Sequence, residues 1–224
     1  TKEVLDLNND RPLAIHWADE NIPEIVEGWH LGTQSGNAIA QVLYGDYNPS
    51  GKLPMTFPRN VGQIPIYYNY KNTGRPVMNE PESVFWSYYI DEKFFFFFFF
   101  GYGLSYSRFE YSNLQLSSNA FAKNGKIELS VTIKNTGKVI GIEFFQLYIR
   151  DLIGSVTRPV KELKGFEMIE LQPNETKKVV FSIDEKTIEY FTANKKWEAE
   201  AGDFKVFIGG SSVTKLESDF QYSN

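Results

Sequence analysis

The sequence has no cysteine in 224 residues. That excludes disulfides, thiolate nucleophiles and cysteine-ligated zinc. It has only two histidines, His16 and His30. A Ser-His-Asp relay would need one of them beside Ser35 or Ser50, and only the presence of the residue types points that way, so both histidines are read as structural. Cationic runs stop at pairs such as Lys177-Lys178 and Lys195-Lys196, and the net charge is −5. A basic stripe able to neutralise phosphates is therefore lacking, and nucleic acid is excluded as a partner. The one long apolar run, Phe94 to Phe100, is too short to cross a bilayer, so no membrane partner is expected. The chain opens on Thr1 rather than Met, partway into an apolar pattern, and is expected to continue upstream.

What is present is an aromatic-rich chain, with 19 Phe and 13 Tyr. The first part reads as α/β. Val4 to Leu7 suits a short strand, and Pro12 to Ile15 a second extended piece, with turn chemistry at Asn8-Asn9-Asp10. Apolar residues at 22, 25, 26 and 29 fit a helical spacing over Ile22 to Trp29. A second helix is predicted from Gly36 to Tyr44, with Ala38, Ile39, Val42 and Leu43 on one face and Gly45 as its left-handed cap. Asp46 to Gly51 is a dense turn cluster. From Lys52 to about Lys93, Pro54, Pro58, Pro65, Pro76 and Pro81 forbid continuous helix, which predicts an extended wrapping connector.

From about Phe109 the pattern changes. Ile127, Leu129, Val131 and Ile133 alternate strictly with polar residues, which predicts a half-buried strand, and Asn135-Thr136-Gly137 turns it. Further strands are predicted over Glu143 to Arg150, with Phe145, Leu147 and Ile149 on one face, over Val179 to Ile183, and over Phe204 to Ile208. Short strands at even spacing with Gly, Pro and Asn turns indicate a β-sandwich of roughly 100 residues.

Several of these segments resemble glycoside hydrolase family 3. Gly36 to Ala40, then Val42-Leu43-Tyr44-Gly45-Asp46-Tyr47-Asn48-Pro49-Ser50-Gly51-Lys52-Leu53-Pro54, are similar to its second, α/β domain. Thr56 to Arg59 and Val61 to Pro65 continue the likeness, and Lys71 to Pro76 narrows it to the periplasmic β-glucosidase branch. Gly101-Tyr102-Gly103-Leu104-Ser105-Tyr106 resembles the family's link to its last domain. Asn135 to Gly137, Gln146 to Tyr148, Arg158 to Phe166, Ala201 to Phe204 and Ile208-Gly209 are similar to its fibronectin type III-like domain. The resemblance implies an α/β sandwich fragment followed by an all-β immunoglobulin/fibronectin type III-like sandwich. The expected division is residues 1–60 for the end of the α/β sandwich domain, 61–108 for the wrapping linker and 109–224 for the fibronectin-like sandwich.

It also implies retaining hydrolysis of terminal non-reducing β-D-glucosyl residues. An aspartate nucleophile would come from an N-terminal (β/α)8 barrel and a glutamate acid/base from the middle domain, about 5 Å apart. Both are expected upstream of Thr1, so no catalytic residue is assigned in this chain, and alone it is expected to be inactive. The implied partners are a β-glucoside or oligosaccharide substrate held through the barrel, the rest of the same polypeptide and, in a homodimer, a second copy. A periplasmic or secreted location follows from the resemblance alone. The sequence departs from the family in two places: Phe94 to Phe100 replaces a Pro-Leu-aromatic-Pro stretch, and Tyr88 stands where an arginine is expected. Seven consecutive Phe on an exposed connector would invite aggregation.

Glu27, Glu143, Glu162 and Glu170 lie nearest to apolar patterns, but a catalytic carboxylate needs a cleft and an altered proton affinity. Glu162, between Lys161 and Lys164, reads as a strand-surface ion pair. Asp19-Glu20 and Asp91-Glu92 read as caps or solvated charges, and no ligand spacing for a metal is seen. Gly101-Tyr102-Gly103 lacks the Lys-Ser/Thr of a phosphate loop and reads as a tight turn, so no cofactor is expected. Asn174-Glu175-Thr176 fits the glycosylation pattern, yet after Pro173 it reads as a hairpin turn. Trp29, Trp86, Tyr88 and Tyr89 could stack on sugars or pack a seam between domains. Trp86 and Tyr88, on the connector, are the substrate-binding candidates. The rival reading of the whole is a stand-alone, non-catalytic glycan- or protein-binding β-sandwich module.

Overall fold

The computed structural model describes residues 3–72, 89 and 97–224. The N-terminal part opens with β1 (Val4–Leu7), then α1 (His16–Asn21), β2 (Glu24–Glu27) and α2 (Ser35–Tyr44). β1 and β2 pair in parallel, Val4 opposite Glu24 through Leu7 opposite Glu27. The helix predicted over Ile22 to Trp29 is thus a strand in its centre. A four-residue strand with two apolar residues is too short for period to decide, and Pro23 with the β-branched pair Ile25-Val26 favours extended backbone. Pro12 to Ile15 forms no strand, and the turn that follows it is α1. α2 lies where predicted, and Gly45 closes it at φ 83°, its N–H donating to the Val42 carbonyl at 3.2 Å. After it, over the described residues to 72, the chain is largely without helix or strand and carries a 3₁₀ turn at Val61–Gln63 that Asn60 caps.

The C-terminal part is a two-layer sandwich. Its strands are β3 (Phe109–Leu116), β4 (Ala120–Ala122), β5 (Lys126–Asn135), β6 (Gly141–Asp151), β7 (Glu162–Leu171), β8 (Thr176–Asp184), β11 (Gly202–Gly209) and β12 (Leu216–Ser223). One sheet has the order β4-β12-β11-β6-β7 and the other β3-β5-β8. A one-turn helix α3 (Glu185–Ile188) and a small hairpin, β9 (Tyr190–Phe191) with β10 (Trp197–Glu198), sit between β8 and β11. The alternation read in β5 places Ile127, Leu129, Val131 and Ile133 in the core, none more than 1% exposed. They meet Phe145, Leu147 and Ile149 of β6 and Phe204, Val206 and Ile208 of β11. Phe145 stacks on Phe181 and Tyr111 across the layers.

Asn135 closes β5 as its Asn-Thr-Gly turn requires. Fully buried, it donates to the Val139 and Leu171 carbonyls and accepts from the Gly137 N–H. The Asn174 turn, with φ 64°, joins β7 to β8, but these strands lie in different sheets, so it is a crossing between the two layers and not the hairpin turn expected.

β6 is buried on both faces over Phe145 to Ile149. Its second face therefore carries Gln146 and Tyr148, both buried, where the second face of β5 is polar and open. Its outer face is covered by the connector: the Tyr68 ring packs edge-on against Tyr148 and stacks on Phe100. Phe97 to Phe100 are accordingly half-buried rather than exposed. Phe98 also bridges to Phe57, which is 1% exposed.

Candidate functional site

The best-built polar site lies where the α/β part meets the sandwich. Its scaffold is the segment from Gly101 to Ser107. Leu53 donates to the Tyr102 carbonyl at 2.8 Å and Gly101 donates to the Leu53 carbonyl at 2.8 Å, so this segment lies beside the extended chain after α2. Both glycines are required. Gly101 sits at φ 80°, and a Cβ there would collide with the Gln146 amide; a Cβ on Gly103 would collide with the Gly51 carbonyl oxygen.

Two side chains clasp this junction. Asn48, from the turn after α2, accepts from Ser105 Oγ at 2.9 Å and from the Tyr106 N–H at 2.8 Å, and donates to the Ile140 carbonyl at 2.8 Å. Tyr106 in turn donates its hydroxyl to the Val42 carbonyl, the C-terminal end of α2, at 2.6 Å. Lys52 reaches the sandwich and pairs with Glu143 of β6 at 3.3 Å, while donating to the Gly103 carbonyl at 3.0 Å. Glu143 is 4% exposed, and its other oxygen accepts from Tyr111 Oη at 2.7 Å. Burial, with this carboxylate beside it, pushes the Tyr111 phenol well above its usual range.

Two further clusters lie on the sandwich. Arg158 stacks 3.7 Å from the Tyr190 ring centroid, donates to Glu162 at 2.6 Å and lies 3.3 Å from Asp151. Desolvation raises the Asp151 carboxyl, and Arg158 only partly offsets this. Glu162 therefore does form an ion pair, but with Arg158 and not with the lysines that flank it. Lys161 donates to the Ser212 carbonyl at 2.8 Å, and its ammonium lies 4.0 Å from the Phe207 ring centroid. Burial lowers its proton affinity to about 8.

The other candidate carboxylates do not come together. Glu27 lies at the end of β2, and desolvation raises its carboxyl while the Trp29 N–H, donating at 3.2 Å, opposes this. Glu170 is exposed on β7. His16 pairs with Glu20 at 3.3 Å and meets Phe97 edge-on, and His30 is exposed. Trp29 packs edge-on against Phe57. Trp86 and Tyr88, the substrate-binding candidates, lie outside the described residues. Among the described residues no three His, Asp or Glu side chains form a group that could hold a metal, and no helix is long and apolar enough to cross a membrane.

What sequence reasoning missed is the clasp. Its members are up to 92 residues apart in sequence, as Asn48 and Ile140 are, so no local pattern joins them. The signal was their position: Asn48, Gly101 and Gly103 fall inside the two turn-rich segments, and Lys52 directly follows the first of them.

The junction is therefore a seam that joins the α/β part to the sandwich through the clasp of Asn48 and the Lys52–Glu143–Tyr111 cluster. Residues 1–106 match the glycosyl hydrolase family 3 C-terminal domain, and residues 143–212 the fibronectin type III-like domain. The chain belongs to glycosyl hydrolase family 3, as a C-terminal part. It is 48% identical over 218 residues to the periplasmic beta-glucosidase of Salmonella typhimurium, covering 97% of this chain and 28% of that protein. The thermostable beta-glucosidase B of Acetivibrio thermocellus is 40% identical, with 93% of this chain and 28% of that protein covered. A crystal structure of the Listeria innocua beta-glucosidase in complex with glucose superposes with a TM-score of 0.93 at 38% identity, covering 99% of this chain and 31% of that one. The chain thus spans less than a third of the length of these relatives.

Proposed function

We propose that this chain is the structural C-terminal part of a retaining β-glucosidase that removes terminal non-reducing β-D-glucosyl residues, and that it holds neither catalytic carboxylate. The reading rests on one observation above all: near-complete coverage by β-glucosidases at up to 48% identity, on a part of those proteins below one third of their length. The geometry supports the structural role. The carboxylates that the fold buries, Glu143 and Asp151, are engaged by Lys52, Tyr111 and Arg158. In this reading residues 1–60 complete an α/β sandwich domain, 61–108 wrap as a linker, and 109–224 buttress the assembly. The nucleophile and acid/base come from upstream sequence, which is also where the substrate is held. Trp86 and Tyr88 would form a rim beside the leaving group. A periplasmic location is proposed from the name of the Salmonella relative, and homodimerisation from the family.

The test is hydrolysis of an aryl β-glucoside by the 224-residue polypeptide and by a version extended upstream through the barrel. Turnover only in the extended protein is expected. Turnover by the short polypeptide at the same rate would overturn the assignment. A stand-alone binding module is supported less well, because an independent sandwich has no use for the uncovered apolar face of α2.

A further inference from the structure

On the sandwich, away from the junction, the β9–β10 hairpin carries two aromatic rings that the fold leaves open. Trp197 is 68% exposed and Phe191 52% exposed. They are directly opposed cross-strand partners, with ring centroids 6.1 Å apart and planes at 62°. Apolar area left in water is a cost unless something covers it. The hairpin is also rigidly held. Thr192 donates to the Lys196 carbonyl at 3.0 Å, and Thr192 Oγ1 and Asn194 Nδ2 both donate to Glu198, at 2.6 and 3.0 Å. At its base, Ala193 donates to Ser155 Oγ and Tyr190 lies under Arg158. A fixed ring loses little entropy when it receives a ligand.

Three features select the ligand class. Half-exposed rings of this size offer on the order of 200 Å² together, against roughly 800 Å² per partner in a stable protein interface. The patch is thus sized for a small planar face. The charges around it are mixed, Lys195 and Lys196 against Glu198 and Glu200, so neither a polyanion nor an anionic surface is favoured. Finally, the C–H face of a β-linked pyranose suits the negative face of an indole, and the hydroxyls at its rim can reach exposed amide and ammonium groups such as Asn194 and Lys195.

We propose that the Phe191–Trp197 hairpin is an accessory binding site for a neutral β-glucan chain, with one pyranose ring stacked on the Trp197 indole and Phe191 bracing it. The proposal rests on the β-glucosidase reading for its substrate class. The hairpin would hold polymer near an enzyme that trims its ends.

The test is electrophoresis of the intact protein through native gels with and without mixed-linkage β-glucan, with saturating glucose present to occupy the hydrolytic site. Retardation by glucan is expected. Trp197→Ala should weaken it about tenfold, a loss of the size seen for one aromatic stacking contact, and Trp197→Phe should retain most of it. Melting temperatures equal to the wild type would show that both variants are folded, as the exposure of Trp197 leads one to expect. Equal migration of wild type and Trp197→Ala in the glucan gel would overturn the site. So would a change of oligomeric state in Trp197→Ala by size-exclusion chromatography, which would assign the rings to a protein contact. Release of nitrophenol from an aryl β-glucoside by the same wild-type preparation is read separately. Its absence would sink the enzymatic reading, whatever the gel shows.

Discussion

The two parts of this molecule bury their apolar residues to very different degrees. In the α/β part, among the described residues, only Ala18 and Phe57 are buried apolar side chains, and α2 has none. Its face of Ala38, Ile39, Val42 and Leu43 remains exposed or half-exposed. In the sandwich, one continuous cluster runs from Phe121 to Tyr222 with most members below 5% exposure. Both parts carry clear amphipathic patterns, so pattern alone does not tell whether a segment has its own core. A sandwich closes on itself because each sheet supplies the other's apolar face. One parallel strand pair with two helices cannot do so. What fixes the α/β part here is the seam: hydrogen bonds from Asn48 and Tyr106, the buried Lys52–Glu143 pair and close backbone approach at two glycines.

The contrast is broken or sharpened most strongly by paired truncations. Phe145→Ala removes a fully buried ring that stacks on both Phe181 and Tyr111 and should cost about 3–5 kcal/mol. Leu43→Ala, at a residue 45% exposed, should stay within about 0.5 kcal/mol. Urea unfolding of the 224-residue polypeptide reads both, and similar midpoint shifts would mean that the two parts share one core. Next in size is the seam itself. Glu143→Ala leaves the Lys52 ammonium buried with only the Gly103 carbonyl and should cost about 3 kcal/mol. A double-mutant cycle with Lys52→Met should recover part of that loss. Strict additivity would show that the pair does not couple the parts.

How much of this was legible follows the same division. β5 could be read residue by residue, because one face is dry and the other wet. α2 could be bounded by Gly45, whose φ of 83° only glycine adopts without strain. β2 was misread as helix, because four residues cannot display a period and its partner β1 lies 20 residues away. β7 escaped notice because it is an edge strand with Phe166 and Met168 turned outward, 64% and 62% exposed, so alternation fails there. The carboxylates were legible as carboxylates, yet their partners were not. Glu143 is set by Lys52 and Tyr111, at 91 and 32 residues' distance, and Glu162 by an arginine rather than its neighbouring lysines.

Smaller in effect is the steric condition on the seam. Gly103→Ala should cost about 1–3 kcal/mol, since the added methyl group meets backbone at Gly51 rather than a side chain that can turn away. Gly45→Ala has open space around its Cβ and pays only for its positive φ, about 1 kcal/mol. Limited proteolysis should separate the two variants further. Loosening at Gly103 exposes the chain between the parts, whereas Gly45 affects only the end of α2. Equal cleavage in both would deny the seam its special role.

The smallest effect concerns Lys161, and here the sign decides. Burial holds this ammonium at about 8, against 10.5 in an unfolded chain. Below pH 8 both states carry the proton, and the cost of the buried charge is present in full. Between about pH 8 and 10.5 the folded state releases its proton while the unfolded state keeps it. The unfolded chain then binds more protons, so this group makes stability rise with pH across that window. Glu217 opposes the shift and Arg150 adds to it. Lys161→Met removes the titration while leaving the Ser212 carbonyl without its donor. The difference in melting temperature, wild type minus variant, should therefore grow from pH 7 to pH 9.5, because the tyrosines with raised phenols titrate alike in both proteins and cancel. A constant difference would mean that the ammonium is as well solvated in its aromatic and carbonyl cage as in water. The sandwich would then tolerate a charge against its outer face as easily as the α/β part tolerates an exposed leucine, and the contrast between the two parts would weaken where it is strongest.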